Sequence, residues 1–133
     1  MSKDNQRVEL IFKDAESLFR DAIEELDKGK IRDAAEKSWG AMVRATNALI
    51  LARKGVEIEG SRGTSKAFID LVKEDREVSK KLRNRYFSRE SSLNGHCFYM
   101  GLYDPEVERE IRETNLYIED ARKLTQKGGR KYE

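Results

Sequence analysis

Apolar positions recur every three or four residues along most of this chain, the spacing of a helix with one buried face. Val8, Ile11, Ala15, Leu18, Ala22 and Leu26 form a first stripe, widened by Phe12, Phe19 and Ile23. It predicts a helix over residues 4–28 that Gly29 stops. Ile31, Ala34, Ser38, Met42, Ala45, Leu49 and Ala52 predict a second over residues 31–54, closed by Gly55. The turn at Gly29 is so short that these two helices must run antiparallel side by side. Small residues at Ala34, Ala35, Ser38, Gly40 and Ala41 let a further helix approach closely. Gly55 to Thr64, with glycines at 55, 60 and 63, reads as a loop, and Thr64 would cap a short helix carrying Ala67, Phe68, Leu71 and Val72. A charged turn, Lys73 to Glu77, leads to a fourth helix from Val78 to Met100, in which Asn94-Gly95 is poor helix sequence that bends or ends it. Asp104-Pro105-Glu106 opens a fifth helix, residues 105–126, with an N-cap, a first-turn proline and an acid near the positive end of the dipole. Val107, Ile111, Thr114, Ile118 and Ala121 give its buried side, and Gly128-Gly129 stops it. The expectation is one all-α domain over residues 1–133. Four long helices and one short one form an up-down bundle, with residues 1–4 and 128–133 frayed.

Charge refines this picture. The chain has 27 basic and 25 acidic residues, a net charge of +2, which argues against a protein that coats nucleic acid through bulk charge. The distribution is uneven. Asp4 to Asp27 holds eight acids and three bases, whereas Ser79 to Arg89 holds Lys80, Lys81, Arg83, Arg85 and Arg89 and no acid. A local positive strip therefore sits on a nearly neutral molecule, either as a solvated face or as a nucleic-acid contact. The single Cys97 forms no internal disulfide, consistent with a reducing, cytoplasmic setting. The start, Met-Ser-Lys-Asp-Asn-Gln, has no apolar signal core, and no apolar run approaches the ~18 residues of a membrane span.

Most site chemistries fail on residue supply. A zinc site needs about four ligands, and the only histidine, His96, is adjacent to the only cysteine, on a helix where neighbours diverge by ~100°. The residue three before His96 is Leu93, so the Glu-x-x-His of di-metal bundles is missing too. The glycine-rich stretch before Lys66 lacks the Gly-Lys-Ser/Thr ending of a triphosphate loop. No metal or cofactor is expected.

What remains is Arg89 and His96. A step of seven is about two helical turns, which puts both on the stripe of Val78, Leu82, Tyr86, Leu93 and Met100. Two readings stand. In one, Arg89 is paired to a carboxylate from the first or fifth helix and His96 is a satisfied, half-buried residue. In the other, the two share a site. Phe87, Asn94 and Phe98 lie opposite that stripe, so the helix is apolar on two sides, one for the core and one for a possible dimer interface.

Five helices, a glycine-rich loop after the second, and Arg-x(6)-His late in the chain resemble the HEPN superfamily. Leu93-Asn94-Gly95-His96-Cys97-Phe98-Tyr99 is similar to the leucine, histidine and Phe-Tyr cluster of its small archaeal members. The resemblance implies a homodimer with the motif at the shared face, and in active members metal-independent RNA cleavage in toxin-antitoxin type systems. Arg89 would then grip phosphate, His96 would act as general acid or base, Asn94 and Tyr99 would orient it, and Lys80, Lys81, Arg83 and Arg85 would hold RNA. Glu90 stands where such nucleases carry Asn, Asp or His, and an anion there would repel phosphate. Tyr99 follows His96 by three positions, where toxin members carry His-x-Tyr. The rival expectation is a non-catalytic adaptor that partners a small nucleotidyltransferase.

Overall fold

The computed structural model describes residues 3–128, and side chains from Asp4 to Gln126. They form an all-α bundle: α1 (Lys3–Asp27), α2 (Ile31–Lys54), α3 (Ser61–Glu74), α4 (Arg76–Arg89), a π-helix (Glu90–Tyr99), α5 (Glu106–Arg112) and α6 (Thr114–Gly128). Of the ends expected to fray, residues 3, 4 and 128 are helical; the others lie outside the described residues.

The α1–α2 hairpin turns where Gly29 takes φ +78°, a conformation a side chain would strain. There the Gly29 N–H donates to the Leu26 carbonyl at 2.9 Å and the Lys30 N–H to Glu25 at 2.9 Å. α2 is the central element, packed against α1, α3, α5, α6 and the π-helix. Its small residues permit this: Ala34, Ala35, Ala41, Ala45 and Ala48 are all fully buried. Phe12, Met42, Leu49, Phe68, Leu82, Ile111 and Tyr117 fill the core around it. Several polar groups taken inside pair with one another. Ser38 Oγ meets Thr114 Oγ1 at 2.9 Å, Thr46 Oγ1 meets Tyr117 OH at 2.7 Å, and Thr64 Oγ1 donates to Asn47 Oδ1 at 2.5 Å. The acid-rich α1 finds cations outside itself, since Arg122 of α6 binds both Glu9 and Glu16.

Three boundaries differ from the sequence-based expectation. α3 starts at Ser61 without a side-chain cap, and Thr64 lies buried inside it, its Oγ1 also 3.0 Å from the Gly60 carbonyl oxygen, so that the one hydroxyl proton is shared between Asn47 and Gly60. α4 starts two residues early because Asp75 is its N-cap, accepting from the Val78 N–H at 3.1 Å. The expected fifth helix is two. It opens as expected, with Asp104 Oδ1 taking the Glu106 N–H at 2.8 Å, then breaks at Glu113 (φ −86°, ψ 0°) and resumes at Thr114. Among the described residues no helix is long and apolar enough to cross a membrane.

Candidate functional site

The fourth helix continues through Asn94-Gly95, but in a different winding. From Glu90 to Tyr99 the backbone is π-helical, with hydrogen bonds reaching one residue further than in an α-helix and more residues per turn. That changes which side chains share a face. The buried stripe runs Val78, Leu82, Tyr86, Leu93 and then Cys97, all fully buried. His96 is exposed, and Met100 is 62% exposed.

Arg89 and His96 therefore do not share the stripe that a regular α-helix would give them. Arg89 ends α4 half-buried, with Nη1 3.2 Å from Glu110 Oε2 of α5, and the two side chains are only 17% and 14% exposed. It also donates to Ser88 Oγ at 3.2 Å. This is the internal ion pair anticipated as the first reading of the pair, made with the α5 part of the expected fifth helix. His96 instead borders a cavity of about 390 Å³ lined by Ser92, Leu102, Tyr103, Asp104 and Val107.

The supporting residues separate likewise. Asn94 is half-buried, Tyr99 is 69% exposed with its ring edge-on to Phe98 at 5.0 Å, and neither side chain hydrogen-bonds His96. Lys80, Lys81 and Arg83 are exposed and have no ion-pair partner among the described residues. Arg85 is occupied: it donates to Asp120 Oδ2 at 2.6 Å and to the Lys81 carbonyl at 2.8 Å, and lies 5.5 Å over the Tyr117 ring. Glu90 turns toward α3, accepting from Ser65 Oγ at 2.9 Å, while Ser65 also meets Tyr86 OH at 2.7 Å. Burial pushes the Tyr86 phenol up to about 12; the Ser65 hydrogen bond opposes this and the Glu90 charge adds to it. Burial likewise raises the Cys97 thiol, against the pull of Arg32, so this sulfur is a poor nucleophile.

Two features escaped the sequence reading. Arg32, at the start of α2, closes the open end of the π-helix: Nε and Nη2 donate to the Phe98 carbonyl at 3.0 and 2.7 Å, and Nη2 to Tyr99 at 3.3 Å. A cation there meets the negative end of the helix. Gly101 (φ +70°) lets the chain pass, with Arg32 Nη1 3.5 Å from where a Cβ would stand. The second feature is an apolar patch: Tyr99, Met100, Leu102 and Tyr103 are 69%, 62%, 57% and 55% exposed. Its only sequence signal is large apolar residues in a connector, where polar ones are usual.

The family described as "Archaeal PaREP1/PaREP8 family" matches residues 10–129, and the chain belongs to it. No curated protein matches the chain.

Proposed function

We propose that this member of the archaeal PaREP1/PaREP8 family works as a HEPN-like cytoplasmic homodimer directed at RNA, with His96 as its proton carrier. The observation that carries the reading is the setting of His96: exposed, lining a cavity, in a stretch where Tyr99, Met100, Leu102 and Tyr103 all stand open to solvent. Large apolar side chains left open to solvent suit a face that another molecule covers. A two-fold contact through Tyr99 and Met100, which do not line that cavity, would bring a second imidazole to the same cleft. One histidine can take the proton of a ribose 2′-hydroxyl and the other can supply one to the leaving 5′-oxygen, jobs suited to imidazole near neutral pH. The new phosphorus–oxygen bond forms as the 5′ bond breaks, leaving a cyclic phosphate and a free 5′-hydroxyl, with no metal required. Lys80, Lys81 and Arg83 supply phosphate contacts from α4, and Asn94 and Tyr99, on the same π-helix as His96, would have to turn toward the imidazole to orient it. Arg85, held by Asp120, and Arg89, held by Glu110, join only by exchanging those partners for phosphate.

The test is RNA cleavage in EDTA by the wild type and His96→Ala. Loss of at least a hundredfold in the variant is expected, and equal rates would end the catalytic claim.

The adaptor reading, in which the dimer partners a small nucleotidyltransferase, has its own support. The Arg89–Glu110 ion pair takes the guanidinium expected to grip phosphate out of a substrate's reach. A stable complex with such an enzyme, together with cleavage by neither protein form, would favour it.

A further inference from the structure

We infer that the cavity beside His96 is a nucleobase subsite for a base bearing an exocyclic amino group, with Ser92 and Asp104 reading its edge and Tyr103 stacking on its face. This rests on the RNA-directed reading above and specifies which part of the substrate goes where.

The lining dictates the chemistry. Leu102 and Val107 supply apolar wall, Tyr103 an aromatic ring, and Asp104 a carboxylate; no lysine or arginine lines the cavity. Among the described residues phosphate would therefore meet an anion and no lysine or arginine inside, whereas a neutral heterocycle meets apolar surface, a ring and hydrogen-bonding groups. The volume, about 390 Å³, lies within the range of small-molecule sites.

Ser92 gives the second, independent observation. Its Oγ is buried and has no hydrogen-bond partner among the described residues. A serine in an α-helix can satisfy its hydroxyl on the carbonyl four residues back, and this one, in the π winding, does not. The Oγ is closed off from solvent as it stands, so a base reaches it by the Ser92 side chain turning into the cavity that this residue lines, and that turn would satisfy the hydroxyl. Asp104 is fixed in place, since its Oδ1 takes the Glu106 N–H at 2.8 Å, and its second oxygen remains an acceptor. A carboxylate acceptor beside a hydroxyl matches the amino edge of cytosine or adenine; uracil presents carbonyl oxygens where those bases present N–H. Tyr103, 55% exposed, offers the stacking surface that unpaired bases use. With the base seated there, the ribose and phosphate fall outside the cavity, toward the exposed His96.

Nucleosides test this apart from cleavage, because they carry no phosphodiester. Cytidine, adenosine and uridine are titrated against 15N-labelled protein and followed by amide shifts. Cytidine and adenosine are expected to move amides between Ser92 and Val107, and uridine to bind at least several-fold more weakly. Ser92→Ala should weaken cytidine about tenfold, the loss of one buried hydrogen bond. Asp104→Asn, which keeps an acceptor for Glu106 but presents an amide, should narrow or reverse the preference over uridine. No shifts with any nucleoside, equal affinity for uridine, or cytidine binding unchanged in Ser92→Ala would overturn the subsite and leave the hydroxyl to water. Nucleoside binding without RNA cleavage would retain the subsite and remove only the nuclease.

Discussion

α2 and the stretch from Glu90 to Tyr103 are both rich in apolar residues, yet they use them in opposite ways. Along α2, Trp39, Met42, Leu49 and Leu51 are buried, and Ser38, Thr46 and Asn47 are hydrogen-bonded inside. Along the second stretch only Leu93 and Cys97 reach the core, while Tyr99, Met100, Leu102 and Tyr103 face solvent and Ser92 keeps an unpaired hydroxyl. Apolar content alone does not separate a scaffold from a working surface. What separates them is position: the helical period of α2 returns its apolar residues to the core, whereas Tyr99 ends the π-helix and Met100, Leu102 and Tyr103 lie in the connector beyond it. Stability is then concentrated in α2 and its neighbours, and the exposed end is left free for binding.

Four measurements can break or sharpen this contrast. The largest effect is expected in the scaffold: Leu49→Ala, at a fully buried position of α2, should cost about 2–5 kcal/mol in urea unfolding. A loss below ~1 kcal/mol would show that α2 is not the stabilising centre. Next comes Tyr86, at the border of the two regions. Its phenol, raised to about 12 in the fold, keeps its proton more tightly there than in the unfolded chain. Its contribution is complete below pH 10 and is lost as pH rises through 12, on the order of 3 kcal/mol at most. Tyr86→Phe should flatten that alkaline decline relative to the wild type, and parallel curves would argue against a buried phenol.

Glu110→Gln comes third. It leaves the half-buried Arg89 without its carboxylate and should cost about 1–2 kcal/mol, while freeing the guanidinium for phosphate. Weaker stability with tighter RNA binding would make Arg89 part of the RNA surface; no change in binding would make the pair purely structural. Smallest in stability is the double change Tyr99→Ser with Met100→Ser, expected within ~0.5 kcal/mol of the wild type because both residues are exposed. Its readout is sedimentation: a wild-type dimer that becomes monomeric in the variant would assign the patch to self-association.

The helices themselves were legible because the 3.6-residue period survives in α1, α2 and the first half of the fourth helix. Gly29 and the Asp104-Pro105 start marked their places correctly. Asp75 was passed over as part of a charged turn, although a short side chain before Val78 is a usual N-cap. The break at Glu113 left no local mark, since no glycine or proline stands there. The candidate site was the least legible part. Placing Arg89 and His96 on one face assumed an unbroken α period, and one extra residue per hydrogen bond undoes that over seven positions. Arg32 lies 66 residues from Phe98 in sequence, and such long-range capping has no local signature.

Cys97 offers a practical handle on this junction. It is the chain's only thiol, fully enclosed, with its sulfur 3.9 Å from the Ile31 carbonyl on α2. Reagent can reach it only when α2 and the π-helix part, so the rate at which a maleimide labels the native protein clocks how often that seam breathes. The molecule thus carries its own stopwatch, already installed where the scaffold hands over to the exposed end.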